Sequence, residues 1–304
     1  MSETENPCLR EYNKDHCWQY DIRLRNREDD LQAAGLTEAA AQALRVSDFT
    51  FRPLNSPEDR AEAVEFIKRH EWLGTLSQYT THWFGAYYQD PHQGLIGRDI
   101  LAGVILMNLP NAFSKLLGDD TKKIERLVSR GACVSWSPKN LASSFLMWCC
   151  GWMVKHTPFR LFTAYSDPTA KELGTIYQAC NWYYLGQESG ASAKYISPYN
   201  GKAVSDRFFR CRSAYKKYAI DLGIKWERDW NTGGKIFWDK MPPEVQSQLR
   251  NYSKKMQSES QKIQMPSKHK YAFVLGATKA ETKKLRREFT TRNPPKPYPK
   301  ERGK

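Results

Sequence analysis

Residues 164–186 read AYSDPTAKELGTIYQACNWYYLG. The segment opens as the end of an apolar strand, RLFTAYSD (160–167), and closes as an aromatic one, WYYLGQ (182–187). β-Branched and aromatic content supports a strand at each end. Between them Pro168 biases Asp167 to extended backbone and makes a turn. AKELGTIYQACN then reads as a short helix. Strand, turn, helix, strand is a building unit of α/β folds.

The same alternation of elements continues upstream. DFTFRPL (from Asp48) alternates as a strand with Phe49 and Phe51 on one face. SPEDRAEAVEFIKRHEWLG reads as a helix with Ser56 as N-cap, Pro57 in the first turn and Gly74 as its stop. THWFGAYYQ (81–89) is a strand, followed by a loop with His92 and Gly94. ILAGVILMNLP (100–110) is apolar throughout and so buried on both faces. KIERLVSRGACVSW (123–136) is a further strand, and LASSFLMWCCGWMVKH a helix that is apolar nearly all round. This order predicts an α/β fold, a GNAT-like (acetyltransferase-like) mixed central sheet flanked by helices, although other α/β folds share the pattern.

Three parts are expected: a polar helical leader over 1–48, a core over 49–200, and a basic helical C-terminal extension over 201–304. The extension holds RFFRCRSAYKKYAIDLG as a basic helix, a helix-turn region broken at Pro242 and Pro243, the strand KHKYAFVLG and the helix TKAETKKLRREF. Its last fifteen or so residues are Pro-rich and expected to be disordered.

The chain has 304 residues and a formal charge of +14, with 13% aromatic residues. A charge of that size speaks to partners rather than fold, and nucleic acid is the expected one. No apolar run approaches the roughly 20 residues of a membrane helix. The polar N-terminus does not read as a signal peptide. Seven cysteines without a CxxC pair fit reduced, buried thiols in a cytoplasmic protein.

Five groups of residues carry candidate chemistry. Asn140, Ser143 and Ser144 open a helix after a strand, where side-chain donors and the helix dipole suit a cofactor phosphate; plain N-capping is the alternative. Arg130 suits a phosphate or oxyanion, or else a surface salt bridge. Asp167 and Tyr177 suit a general base and a general acid, or else a cap and a core ring. His82, in an aromatic strand, is a base, a metal ligand with Asp167, or a structural histidine. Arg207, Arg210, Arg212, Lys216 and Lys217 interleave with Phe208, Phe209, Tyr215 and Tyr218, and Lys283, Lys284, Arg286 and Arg287 repeat the charge. The pattern suits a phosphate track with stacking rings, or a solvated helix face.

The 164–186 stretch resembles the signature of the Mom-like family. That pattern runs Asp-Pro, Gly-His, Gly-Thr-Ile-Tyr-Gln-Ala, an aromatic strand and Gly. Asp167, Pro168, Gly174, Thr175, Ile176, Tyr177, Gln178, Ala179 and Gly186 match it, while Lys171 and Glu172 stand where the family has Gly-His. IERLVSRGACV with LASSFL, and KHKYAFVLG with its basic helix and Pro-Tyr-Pro-Lys, extend the likeness over 49–300. The resemblance implies a phage DNA-modification enzyme acting in the host cytoplasm. Such enzymes add a carbamoylmethyl group to the exocyclic amine of adenine and so shield DNA from restriction. It also implies DNA and a small-molecule group donor as partners, acetyl-coenzyme A as that donor, and iron as a suggested requirement. Arg130, Ser143 or Ser144, Asp167 and Tyr177 are then the catalytic set, with His82 the weaker match. Two alternatives stand beside this: an acyltransferase acting on a protein or small amine, and a non-catalytic DNA-binding protein on the same fold.

Overall fold

A computed structural model describes residues 16–89, 99–111, 114–187 and 193–300. His92 and Gly94 lie outside the described residues. In chain order the elements are α1 (Trp18–Ala34), α2 (Glu38–Ala43), β1 (Phe49–Pro53), α3 (Pro57–His70), β2 (Thr80–Tyr88), β3 (Ile100–Asn108), α4 (Thr121–Ile124), β4 (Glu125–Cys133), α5 (Leu141–His156), β5 (Leu161–Ser166), α6 (Thr175–Ala179) and β6 (Tyr183–Gln187). Then follow β7 (Ala193–Ile196), β8 (Ala203–Ser205), α7 (Arg212–Asp221), β9 (Asn231–Thr232), β10 (Lys235–Ile236), α8 (Pro243–Glu259), β11 (Lys262–Gln264), β12 (His269–Val274) and α9 (Lys279–Arg292).

These elements fall into two compact units, 1–188 with 268–304, and 189–267. The first is built on a seven-stranded sheet of order β1-β2-β3-β4-β5-β12-β6. Only β4 and β5 among these neighbours run parallel. The expected mixed sheet flanked by helices is thus the fold. β3 shows why its sequence is apolar throughout. Ile105 and Met107 pack with Phe145, Cys149 and Met153 of α5, while Val104 and Leu106 pack with Ala63, Phe66 and Ile67 of α3. Alternate side chains of a strand point to opposite faces, so a strand covered by helices on both sides has no polar face. α3 starts as its sequence says, with the Ser56 hydroxyl accepting from Asp59 N at 3.0 Å and Pro57 in the first turn. It ends at His70, ahead of Gly74.

The structure moves three boundaries. The described part of the leader, 16–48, packs on the core: Arg27 donates to the Ser135 carbonyl at 2.8 Å, and buried Asp30 accepts from Arg69 at 2.9 Å. Nor is the C-terminal third one extension. β12 returns to the main sheet between β5 and β6, and Phe289 of α9 packs on Leu161, Ala272 and Val274. The Pro-rich end is placed through residue 300, with Lys296 N bonded to the Tyr184 carbonyl at 2.8 Å and the Tyr298 hydroxyl to the Trp182 carbonyl at 2.7 Å.

The second unit has a three-stranded sheet, β11-β7-β8, and a core where α7 and α8 meet. On α7, Ala214, Tyr215, Tyr218 and Ala219 form the buried face. Among the described residues no helix is long and apolar enough to cross a membrane.

Candidate active site

A β-bulge decides where the first unit can bind anything. β4 pairs with β3 from Leu127 to Cys133, but the register skips Ser129, since Leu106 faces Arg130 and Met107 faces Val128. An extra residue on one strand bends it and disturbs its ladder. The Ser129 hydroxyl holds the bulge, 3.1 Å from the Leu106 carbonyl and 2.8 Å from Asn108 Oδ1. On its other side β4 pairs with β5 only over Glu125–Val128 and Leu161–Ala164. Past the bulge the two parallel strands diverge.

A cavity of about 340 Å³ fills the divergence. Its walls are Val128 to Cys133 of β4, Tyr165 and Ser166 at the end of β5 with Asp167 beyond it, and Ala142 and Leu146 in the first turns of α5. Lys171 to Tyr177, Lys268, Glu71 to Leu73, and Cys17, Gln19 and Arg23 at the start of α1 complete it. The 171–177 wall is held from behind. The Tyr271 hydroxyl donates to the Leu173 carbonyl, and Gln178 Nε2 donates to the same carbonyl at 2.8 Å. Gly174 sits at φ +66, where a Cβ would lie 2.5 Å from the Tyr271 ring. Only glycine takes that place without strain.

Of the candidates from sequence, Arg130, Asp167 and Tyr177 line this cavity. Arg130 is tied down on one side, Nε donating to the Thr75 carbonyl at 2.7 Å and Nη1 to the Ser129 carbonyl at 2.8 Å. It lies within β4 rather than at its end. The Tyr177 ring is fixed between Trp182 and Tyr271, at centroid distances of 5.1 and 5.2 Å. Burial pushes its hydroxyl well above the usual tyrosine range, with the Glu172 charge adding to the effect. Asp167 does cap: Oδ1 accepts from Thr169 N at 2.9 Å, and Oδ2 lies 3.2 Å from Lys268 Nζ.

The other candidates stand elsewhere. Asn140, Ser143 and Ser144 are not on the cavity wall, although the α5 turn that they open reaches it through Ala142. Asn140 takes left-handed backbone without a side-chain cap, and the Ser143 hydroxyl donates to its carbonyl at 3.0 Å. His82 packs edge-on against Phe159 at 5.7 Å, and its imidazole is held below the usual range by burial and by Arg126. Phe159 precedes β5 and Asp167 follows it. Six strand residues at about 3.3 Å each separate the two ends by about 20 Å, so His82 and Asp167 do not share a metal. Among the described residues no three His, Cys, Asp or Glu side chains converge as metal ligands, so no iron site is found among them.

The expected aromatic stacking sites are also displaced. Phe209, Tyr215 and Tyr218 are core residues of the second unit. Lys216, Lys217, Arg207 and Arg210 stay exposed, Arg210 pairing with Asp206 and Lys217 lying 4.7 Å over the Tyr199 ring. Arg212 donates to the Gly233 carbonyl. In the first unit Lys283, Lys284 and Arg287 ride on α9, while Arg286 is folded back onto the Val274 carbonyl at 3.1 Å.

Sequence reading missed Glu172. Its Oε1 accepts from Trp72 Nε1 at 3.0 Å and its Oε2 from Asp167 N at 3.1 Å. Burial, with the charges of Glu71 and Asp167, pushes its carboxyl up to about 7 against those two hydrogen bonds. The available signal was the departure from Gly-His at Lys171 and Glu172. Lys171 takes left-handed backbone at φ 55, where a glycine is at ease.

A thioester donor passes a test on this wall. Past Val128, β4 presents backbone groups that β5 does not pair, the Ser166 hydroxyl is buried without a partner, and Arg23 and Arg130 add positive charge. The volume suits the reacting end of such a molecule rather than a whole coenzyme.

The model of the Mom protein family matches residues 55–300. No curated protein sequence matches this chain. Among solved structures, Arabidopsis thaliana NAA60 in complex with acetyl-CoA is 13% identical, with TM-score 0.33 over 51% of this chain and 94% of that one. A putative phosphinothricin N-acetyltransferase is 15% identical, with TM-score 0.29 over 51% and 92%. A tandem GNAT protein from the clavulanic acid biosynthesis pathway is 10% identical, with TM-score 0.32 over 68% and 65%.

Proposed function

This chain belongs to the Mom protein family, and from that premise we propose that it is a transferase that places a carbamoylmethyl-type group on the exocyclic amine of adenine in DNA. The observation that carries the reading is the cavity in the β4–β5 divergence, where Arg130, Tyr177 and Glu172 line one wall system beside unpaired strand edge. For a carbamoylmethyl product the donor must carry that group on an electrophilic methylene bearing a leaving group; attack on the thioester carbonyl of acetyl-coenzyme A would instead leave an acetyl group on the amine and release the thiol. Arg130 offers its remaining N–H groups to an anion on the donor or to a developing oxyanion. Tyr177 stays protonated because burial disfavours its phenolate, so its hydroxyl can donate a proton to the departing group.

A base within a duplex must leave the stack before its amine can enter such a cavity. The second unit supplies the affinity for DNA in this reading. It carries 15 Lys and Arg against 7 Asp and Glu over residues 189–267. Its buried rings make it a phosphate-contacting surface rather than a stacking platform.

The reading is tested by producing the protein in cells with a plasmid, digesting the plasmid to nucleosides and weighing them. A carbamoylmethyl increment on deoxyadenosine is expected. An acetyl increment would redirect the chemistry to plain acylation, and unaltered nucleosides would remove the enzyme reading.

A further inference from the structure

Two carboxylates stand side by side on the cavity wall in unlike surroundings. Asp167 is engaged at both oxygens, by Thr169 N and by Lys268. Glu172 has no Lys, Arg or His as an ion-pair partner among the described residues. It accepts from Trp72 Nε1 and Asp167 N alone, and each of its oxygens keeps a further lone pair. The two are locked together through the backbone, because Glu172 N also donates to the Asp167 carbonyl at 3.2 Å.

We propose that Glu172 is the proton acceptor of the transfer reaction and that Asp167 positions it. The inference rests on the transferase reading above and names a residue for it. The donor belongs to the class of electrophilic carbons that carry a leaving group. The amine nitrogen forms its bond to that carbon, and the bond to the leaving group breaks with the pair staying on the leaving group. One N–H proton of the amine passes to the Glu172 carboxylate, which releases it to water afterwards.

The surroundings support the assignment. Glu172 faces Glu71 and Trp72 from the segment after α3, Asp167 with its Lys268 from the ends of β5 and β12, Arg130 from β4 and Tyr177 from α6. Burial is the main reason that its carboxyl rises to about 7, and the Glu71 and Asp167 charges reinforce it. A base works best when its pKa lies near the working pH. Neighbouring acids pushed apart by their surroundings take different roles.

The test uses the full-length protein, plasmid DNA, and acetyl-coenzyme A with the small-molecule filtrate of host extract as donor source. Wild-type deoxyadenosine modification should rise with pH through about 7. Glu172→Gln should lower the rate by about 10²–10⁴-fold at pH 8 and lose that rise, with Glu172→Asp recovering part of the rate. Asp167→Asn should keep the rise but move it to lower pH, since it removes a neighbouring negative charge. In the free protein the Trp72 share of the fluorescence, isolated by Trp72→Phe, should titrate near pH 7 and stop doing so in Glu172→Gln. Retention of both rate and rise in Glu172→Gln, or a flat Trp72 titration in the wild type, would overturn the proposal while leaving the transferase reading intact. A wild type that alters no nucleoside overturns both.

Discussion

The two halves of β4 are made of similar residues and do different work. Glu125–Val128 is paired with β5, and its Leu127 and Val128 with β3 as well, whereas the part past Ser129 is paired with β3 alone. The closed half carries core: Val128 packs with Phe162, Ala164 and Met153. The open half carries the cavity. One extra residue separates them. A strand can serve as both scaffold and binding edge when a bulge ends one ladder without ending the strand.

That contrast continues into β5, where it sets the largest expected effect. Phe162 is fully buried in the paired half. Phe162→Ala should cost about 3–5 kcal/mol in denaturant unfolding. Ser166, in the open half, has a buried hydroxyl without a partner. Ser166→Ala should be neutral or slightly stabilising, because no hydrogen bond within the protein is lost. Equal losses at the two positions would erase the distinction between the halves.

The cavity wall after β5 should also cost stability at neutral pH. Glu172 is raised from 4.5 to about 7 in the folded protein, so the folded state holds that proton more tightly than the unfolded one. The stability this provides is fully present below pH 4.5 and is lost as pH rises to 7 and beyond. The loss is on the order of 3 kcal/mol, at 1.36 kcal/mol per pH unit. Glu172→Gln should flatten that slope in unfolding midpoints taken from pH 5 to 8. An unchanged slope would mean that the carboxyl is not held uncharged.

The smallest effect belongs to the second unit. Lys216→Ala combined with Lys217→Ala should leave folding intact, since both are exposed. For two phosphate contacts, the slope of log affinity for DNA against log salt should fall by about 2. No change in slope would place the DNA contacts elsewhere.

What the sequence made legible follows the same division. β3 and α5 could be read because burial writes itself into unbroken apolar runs, and Ser56–Pro57 because a cap is local. The bulge at Ser129 could not, since it exists only in register with Leu106 and Met107. The pairing of His82 with Asp167 could not be judged from sequence because strand order, not strand content, puts His82 beside Phe159 at the far end of β5 from Asp167. β12 looked like part of an extension because a whole unit intervenes before it rejoins the sheet. Rings alternating with cations over 207–218 have two causes, stacking on bases or one buried helix face, and here the buried face accounts for Tyr215 and Tyr218. Glu172 was hidden because nothing in a polar residue beside a lysine announces burial.

The central claim is that the chemistry belongs to the open half of β4, and two arginines of that strand test it most directly. Arg126 lies in the half paired with β5, over the Phe159 ring at 3.5 Å, and Arg130 in the half that β5 leaves open, on the cavity wall. Modified deoxyadenosine should be weighed in plasmid from cells producing Arg126→Ala or Arg130→Ala, each normalised to folded protein. The account predicts near wild-type modification with Arg126→Ala and a loss of about a hundredfold with Arg130→Ala, the scale on which removing one oxyanion donor acts. Equal modification by the two variants would contradict it.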